Sequence, residues 1–431
     1  MAHQHHDDTY TADMLSVEEA RNEVLALVKV LNHEDVHLME SLGQVIAEDI
    51  YAGLDIPPFQ NSAMDGYAVR HQDIKGASPN NAITLKVVGS IAAGQIAKVA
   101  LPEGAAIRIM TGAPLPLGAN TVVPFEETDE LVRKKSDETV DEVSVFHEFS
   151  KGEFVRPAAE DVRKGELILR SGTVIRAAEI GVLASLGYDS ITVTRRPLIG
   201  ILATGNELAK PGTSLIYGKI YDSNTYSVAA LVKRYGGIPK ILGIAKDNFK
   251  SIDSMLFKGI ATDLLITSAG VSKGDYDIVK DVLTQRGNIT FWSVRMRPAK
   301  PIAFGELASI DNHKIPLIGL PGNPVSAMIA FEQLARPAIL KMMGKTKLTK
   351  PYVYAFLEDP IINTDGRRVY ARAIVSKKNG KYYAKLTGPQ GSNVLTSMTK
   401  ANGLAICDET VCAMKIGDIA KIEMLDWEEV E

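Results

Sequence analysis

Between Arg196 and Leu340 the chain alternates strand-like and helical runs, and this rhythm limits the fold more than any other feature. The strand-like runs are PLIGILATG from Pro197, IPKILGIA, DLLITSAG, ITFWSVRM and IPLIGLPG. Helical patterns separate them: Thr225 to Tyr235, closed by Gly236-Gly237, then NFKSIDSMLFKGI, DIVKDVLTQRG, and Pro324 to Leu340. Near-continuous apolar strands need both sheet faces covered, and alternating helices cover them. The pattern predicts a doubly wound α/β domain over residues 196–348. In such sheets ligands bind beyond the carboxyl ends of the strands, so the loops there are the first place to look for chemistry.

The flanking regions read differently. Ser16 with Glu19 forms a capping box ahead of an amphipathic helix. Residues 51–149 hold short strand-like runs such as ITLKVVGSI and TVVPF broken by Gly and Pro, which predicts a β-rich inserted domain. The run RAAEIGVLASLG is a second helix, so residues 14–50 and 150–195 form a discontinuous N-terminal linker/helical domain around the insertion. Residues 349–431 return to short strands with polar turns, a C-terminal β domain. The fold class is α/β plus β, in several domains. The charged run EETDELVRKKSDETVDE reads as a solvated hairpin or edge.

The formal net charge is −4, so no overall basic field recruits nucleic acid. No apolar run reaches the roughly 18 residues of a membrane span. The polar start of the chain does not resemble a signal peptide, and His3, His5 and His6 read as part of a mobile tail. Two cysteines, Cys407 and Cys412, offer neither a disulfide framework nor a zinc set. A cytoplasmic protein is expected. An anionic substrate would need local cations and backbone N–H groups.

Several loops supply them. In GILATGNEL, Gly200 and Gly205 have P-loop spacing, but Asn206-Glu207 stands where Lys and Ser/Thr should be, and a bare Glu repels phosphate. Glu207 is left as a carboxylate at the mouth of the sheet. In GKIYDSNTY, Asp222 and Ser223 are helix-capping types, and capping accounts for one of them. In TSAGVSKGDYD, Gly270 and Ser272 lie in a small-residue loop ahead of a helix, able to aim N–H groups at an anion. Asp275 and Asp277 follow, one to cap and one free for chemistry. LPGNP enters a further helix, and RMRPAK brings Arg295, Arg297 and Lys300. Carboxylates and an anionic substrate repel unless a divalent cation stands between them, which points to Mg²⁺ and to phosphate or oxyanion chemistry. Two loops of the β-rich region also stand out. PPFQNSAMDGYAV is a stiff, proline-bounded stretch carrying Asp65 before a glycine turn, and RIMTGAPLPLGAN carries Thr111.

These stretches, with EDVRKGE, RPAKPIAFG, GLPGNPVSA and LTGPQGSNVLTSMTKANGLA, together resemble the molybdopterin molybdenumtransferases, the MoeA family and the E domain of gephyrin. The likeness runs through nearly the whole chain after about residue 14, with long motifs in order. It implies an adenylyltransferase-like α/β domain, a C-terminal barrel-like domain, and a Mg²⁺-assisted transferase. Such an enzyme inserts molybdate (or tungstate) into adenylylated molybdopterin and releases AMP. It implies a homodimer, with Asp65 reaching across the subunit boundary. Carried over by position, Asp65, Thr111, Glu207, Asp222 and Asp277 are the catalytic residues, with Glu207, Asp222 and Asp277 as metal ligands. Gly270, Ser272, Arg297, Lys300, Asn323 and Ser326 line the substrate pocket.

The sequence departs from the family pattern at Gln60, Asn206, Ala269 and Arg297, none of them a principal carboxylate. Two other readings are a molybdopterin adenylyltransferase, which would lack the NSAMDGY and MTGAPLP region, and a non-catalytic pterin-binding scaffold, which would not need the acidic set.

Overall fold

The computed structural model describes residues 14–135, 141–259, 261–268, 282–283, 285–308 and 314–427. They form two compact units, one of Met1–Ala47, Gly172–Arg176 and Ile191–Glu431, the other of Glu48–Ser171 and Ala177–Ser190. The first helix, α1 (Val17–Leu27), starts as its sequence dictates. Ser16 Oγ accepts the Glu19 N–H at 3.1 Å, and the Glu19 carboxylate accepts the Ser16 N–H at 2.7 Å.

The smaller unit is built on a five-stranded sheet. Its strands are β1 (Gly66–Val69), β2 (Ile83–Ile91), β3 (Ala105–Ile109), β4 (Thr121–Pro124) and β5 (Glu142–Val145), in the order β4-β1-β3-β2-β5. Strand β1 is buried at every position between β3 and β4. The glycine after Asp65 is therefore not a turn residue, as the sequence had suggested, but the first residue of β1. A Cβ on Gly66 would stand 1.9 Å from the Val123 carbonyl oxygen, so the strand approaches too closely for any side chain. Helix α2 (Glu130–Lys135) corrects a second expectation, because the charged run is not solvated throughout. Glu130 is buried, with its carboxylate 2.9 Å from Arg108 Nε. Arg108 also lies over the rings of Tyr67 and Phe125. A carboxylate this far from water needs such a partner. At the end of the run β5 is the last strand in the sheet order, paired with β2 and bridged at Val145 to Thr128. Helix α3 (Ala177–Ser185) completes this unit.

The larger unit holds the predicted α/β domain. Strands β6 (Leu198–Thr204), β7 (Ile238–Ala245), β8 (Leu264–Ser268), β9 (Gly287–Ser293), β10 (Pro301–Ala308) and β11 (Lys314–Leu320) form one sheet in the order β7-β6-β8-β11-β10-β9. The first four in that order are parallel, and the last three run antiparallel. Ile201, Ile266 and Ile318 are register partners across the centre and are fully buried, each contributing about 2 kcal/mol of hydrophobic stabilisation. PIAFGELA, read only as a motif, is the strand β10. The connection between β9 and β10 is too short for the crossover that parallel strands require, so a hairpin forms. Helices α4 (Asn224–Arg234) and α5 (Phe249–Gly259) follow β6 and β7. The former stops where expected: Gly236 takes φ +91°, and the Gly237 N–H returns to Val232 O at 2.9 Å. After β11 comes one continuous helical segment, α6 (Pro324–Ala330), a π-helical turn at Phe331–Ala335, and α7 (Arg336–Met342).

The C-terminal strands β12 (Tyr352–Leu357), β13 (Arg368–Lys378), β14 (Lys381–Leu386), β15 (Gly403–Cys407) and β16 (Ile419–Met424) pair in the cycle β13-β14-β12-β16-β15, with β15 returning to β13. The barrel interior is the alternate set Val353, Ala355, Ala371, Ala373, Ala405 and Ile422 with its neighbours. Such small residues fit the centre of a five-stranded barrel.

A buried ionic cluster joins this barrel to the α/β domain. Glu332, on the π-helical turn, accepts from Tyr235 Oη at 2.9 Å and from Lys350 Nζ at 2.9 Å. Lys350 also donates to Tyr235 Oη at 2.9 Å, and Arg336 lies over the Tyr235 ring. All four side chains are buried. Removing the acid would leave the buried Lys350 ammonium without the carboxylate it is paired with at 2.9 Å. Glu332→Ala is therefore expected to cost about 3–5 kcal/mol, read as a fall in the urea midpoint of the larger unit's unfolding transition.

Candidate active site

The stretch PPFQNSAMDGYAV is held as a pair with RIMTGAPLPLGAN. Backbone bonds run from Ser62 N–H to Ala113 O at 3.0 Å, from Gly112 N–H to Ser62 O at 2.8 Å, and from Leu115 N–H to Gln60 O at 2.9 Å. Only the backbone of Gln60 takes part and its side chain is exposed, so its departure from the family pattern leaves this zipper intact. The outcome is a fixed carboxylate. Asp65 Oδ1 accepts the Thr111 N–H at 2.7 Å and the Thr111 Oγ1–H at 2.7 Å. These two bonds hold the Asp65 carboxyl below its ordinary range, so it stays ionised. The two residues singled out in the β-rich region form one unit: an acid, and the donors that keep it charged.

In the larger unit, Glu207 and Asp222 sit at either end of a two-residue parallel ladder, Leu208↔Ile220 and Ala209↔Tyr221. The ladder is extended by Ile220 N–H to Glu207 O and Asp222 N–H to Ala209 O, both 2.9 Å. Gly205 takes φ +151°, and a Cβ there would lie 2.5 Å from a Glu207 carboxylate oxygen. The Glu207 carboxylate thus folds back over the glycine that ends β6. Asp222 is buried, and its Oδ1 accepts the Thr225 N–H at 3.0 Å, so the acid rather than Ser223 caps α4. Asn206 and Asp247 bond reciprocally, Asn206 N–H to Asp247 Oδ2 at 2.9 Å and Asp247 N–H to Asn206 Oδ1 at 3.2 Å. An acid at position 206 would set a second carboxylate against Asp247, which accounts for the amide found here.

A cavity of about 1070 Å³ opens at this end of the sheet, between the α/β loops and the barrel rim. It gathers Glu207, Arg297, Lys300, Asn323 and Ser326 of the expected residues, and adds Arg367, Arg372, Gln390 and Ser392 from the C-terminal domain. Arg297 is delivered by a strand fragment, Met296–Arg297, that pairs with the start of β13. Ala299 is held at φ +82°, a strained conformation for alanine, between Arg297 and Lys300. Arg297 and Arg367 share Asp365, with Arg367 Nε at 3.0 Å and Arg297 Nη1 at 3.6 Å.

Arg372 is different. It is 1% exposed, and its guanidinium donates to neutral groups, Ser397 Oγ and Gly391 O, both at 3.1 Å. Among the described residues it forms no ion pair. Burial pushes it down, to about 10, which leaves it protonated at neutral pH. Gln390 fixes the surrounding loop, accepting the Arg372 N–H at 2.8 Å and donating to the Arg372 carbonyl at 3.1 Å. Ser392 O accepts the Val325 N–H at 3.1 Å, joining the same loop to the start of α6. A buried cation without an acid partner among the described residues, in a cavity lined by three more cations, has the charge to pair with a compact oxyanion. The residue-by-residue reading missed Arg367 and Arg372 because they lie in strand-like sequence far from the α/β loops. The nearest signal was LTGPQGSN, whose polar loop braces Arg372.

Asp277, Ser272 and Gly270 lie outside the described residues. Among the described residues no group of three or more His, Cys, Asp or Glu side chains could hold a metal ion. The donors present still suit Mg²⁺, which needs only one or two protein carboxylates with water and phosphate oxygens. Beside Asp222 in the chain, Asn224 Oδ1 and Thr225 Oγ1 are buried with no hydrogen-bond partner among the described residues, and so is Thr267 Oγ1 at the end of β8.

The Asp65–Thr111 pair gives a direct test. Thr111→Val removes the hydroxyl donor and keeps the backbone one. A carboxyl NMR titration should show the Asp65 pKa rising toward its ordinary value of about 3.9. The lowered pKa stabilises the folded form above that value, and the contribution fades as pH falls through the folded pKa, so the variant loses stability at neutral pH and not at strongly acid pH.

Comparison with known proteins bears on the whole chain. The family model for the MoeA N-terminal region (domain I and II) matches residues 15–187, that for a probable molybdopterin binding domain residues 200–341, and that for the MoeA C-terminal region (domain IV) residues 354–425. A Mycobacterium tuberculosis protein named molybdopterin molybdenumtransferase 2 is 36% identical over 411 residues, covering 94% of this chain and 98% of its own. A Nostoc protein named molybdopterin molybdenumtransferase is 36% identical over 402 residues, covering 91% of this chain and 90% of its own. The crystal structure of the molybdopterin biosynthesis MoeA protein from Pyrococcus horikoshii superimposes with a TM-score of 0.78 at 28% identity, over 96% of this chain and 100% of that one. By these matches the chain belongs to the MoeA family of molybdopterin molybdenumtransferases.

Proposed function

We propose that this chain inserts molybdate into adenylylated molybdopterin and releases AMP, a step of molybdenum cofactor biosynthesis. The observation that carries the reading is the cavity in which buried Arg372, with no ion pair among the described residues, joins Arg297, Lys300 and Arg367, with Glu207 lining the same cavity. A dianion such as molybdate supplies the charge that Arg372 lacks. The cations hold the oxyanion, and Asn323, Ser326 and Gln390 offer the neutral polar groups that orient a substrate. Glu207 and Asp222, with Asp277, would hold Mg²⁺, which when bound neutralises phosphate charge and assists departure of AMP. Arg372→Gln keeps a hydrogen-bonding side chain and removes the charge. It is expected to lower kcat/KM for molybdate-dependent AMP release by about 100-fold. Wild-type turnover in that variant would remove the basis for the assignment. Loss of AMP release in a chelator, restored by added Mg²⁺, tests the metal. An adenylyltransferase would consume ATP instead, and a scaffold would do neither.

We further propose a cytoplasmic homodimer. No helix among the described residues is long and apolar enough to cross a membrane. Support for the dimer comes from the loop after Glu207, where Leu215, Ile216, Tyr217, Ile220 and Tyr221 are exposed together, Tyr217 completely. Such a run of apolar side chains calls for a covering surface. In the arrangement the family resemblance implies, each site takes Glu207 from one chain and Asp65 from the other. Mixing inactive Asp65→Asn chains with inactive Glu207→Gln chains should then restore about a quarter of wild-type activity, because half the dimers are mixed and each has one intact site. Mixed dimers, verified by native mass spectrometry, that stay inactive would rule the arrangement out.

A further inference from the structure

The outer face of the C-terminal barrel carries a pattern that the transferase reaction does not use. On β12 the outward residues are Tyr352, Tyr354 and Phe356, alternating with the buried Val353, Ala355 and Leu357. On β14 the exposed Lys381 and Lys385 flank Tyr383, and on β16 Ile419 and Lys421 face out. Register partners bring these together: Tyr354 with Lys421, and Phe356 with both Ile419 and Tyr383. The rings form two pairs, Tyr352–Tyr354 and Phe356–Tyr383, each with centroids 5.7 Å apart. Lysines cap three of the four rings: Lys421 over Tyr352 at 4.4 Å, Lys381 over Phe356 at 5.5 Å and Lys378 over Tyr383 at 5.5 Å. A groove of about 870 Å³ runs along Phe356, Lys381, Tyr383, Lys385 and Ile416.

The charge on this face opposes that of the chain. The chain carries a net −4, whereas this face has Lys378, Lys381, Lys385 and Lys421 against two acids, Glu358, bonded to Lys378 at 3.0 Å, and Asp359, whose carboxylate accepts the Leu386 N–H at 2.9 Å. Glu423, the outward acid of β16, is turned away to Gln333. A monomer has no need of exposed aromatic and isoleucine side chains beneath a lysine layer; Tyr354 is 63% and Ile419 57% exposed. We propose that this face docks an acidic segment of a partner protein, its carboxylates on the lysines and its apolar side chains on Tyr354, Ile416 and Ile419. Single-stranded nucleic acid fits less well, because base stacking needs free ring faces and three of the four are covered by the chain's own lysines. A lipid surface fits less well, because burying these rings in the acyl region would carry in the lysine ammonium groups that lie over three of them.

The test uses the full chain and a fluorescein-labelled peptide of repeated Glu-Leu-Asp-Ser, followed by anisotropy at low and physiological salt. The wild type should bind with salt-sensitive affinity. Lys381→Glu with Lys421→Glu should weaken binding at least about tenfold, and Tyr354→Ala with Ile419→Ser should weaken it comparably at both salt concentrations. AMP release should be unchanged in both variants, since none of the four residues lines the catalytic cavity. The proposal is overturned if the peptide does not bind, or if either double variant binds it as the wild type does. It is also overturned if an oligo-dT or a phosphatidylserine vesicle binds more tightly than the peptide. Sedimentation in which the charge-reversed variant falls to a smaller oligomer would likewise overturn it, by making the face an interface between copies of this chain.

Discussion

The buried contact of Glu332 with Lys350 and Tyr235 decides where the cavity between the α/β loops and the barrel can be. Tyr235 ends α4, Glu332 sits on the π-helical turn after α6, and Lys350 lies just before the barrel begins. Three segments far apart in the chain are therefore locked at one point of low dielectric, where an unmatched charge would be costly. Two walls follow from it. One is the set of α/β loops carrying Glu207, Lys300, Asn323 and Ser326, and the other is the barrel rim carrying Arg367 and Arg372. The strand fragment Met296–Arg297, paired with β13, ties the same walls at a second place.

Within the cavity the charges follow one logic. Arg297 and Arg367 are partly neutralised by Asp365, so they can be close without mutual repulsion dominating. Arg372 has only neutral partners, so its charge is left for a ligand. Glu207 lines the cavity from one end of its own short ladder, and Asp222, at the other end, spends one oxygen on capping α4. In the other unit, Asp65 is kept charged chiefly by two donors from one residue, with a smaller contribution from the Arg108 charge.

Much of this was readable before any coordinates. The apolar strands, the Ser16–Glu19 box and the Gly236-Gly237 stop state local physics in local sequence, and each appears where expected. The misreadings have a common cause. Gly66 looked like a turn glycine, yet it is glycine because β4 presses against it. Glu130 looked solvated because its neighbours are charged, yet Arg108, twenty-two residues earlier, draws it inside. The strand β10 was hidden in a loop motif because a hairpin strand needs no helical partner to announce it.

The sequence by itself determined the fold class, the family, and the loops that carry Asp65, Thr111, Glu207 and Asp222, because strand period, capping and turn chemistry act over a few residues. Only the tertiary structure decided which side chains share a space. Arg372 reads in sequence as one more residue of a strand, with nothing beside it to mark it as a site. It becomes a buried cation with neutral partners when barrel closure buries it against Ser397 and Gly391, in a cavity shared with Arg297 and Lys300 from another domain. Charge without a counter-charge is a property of a place in three dimensions, and no local pattern encodes it.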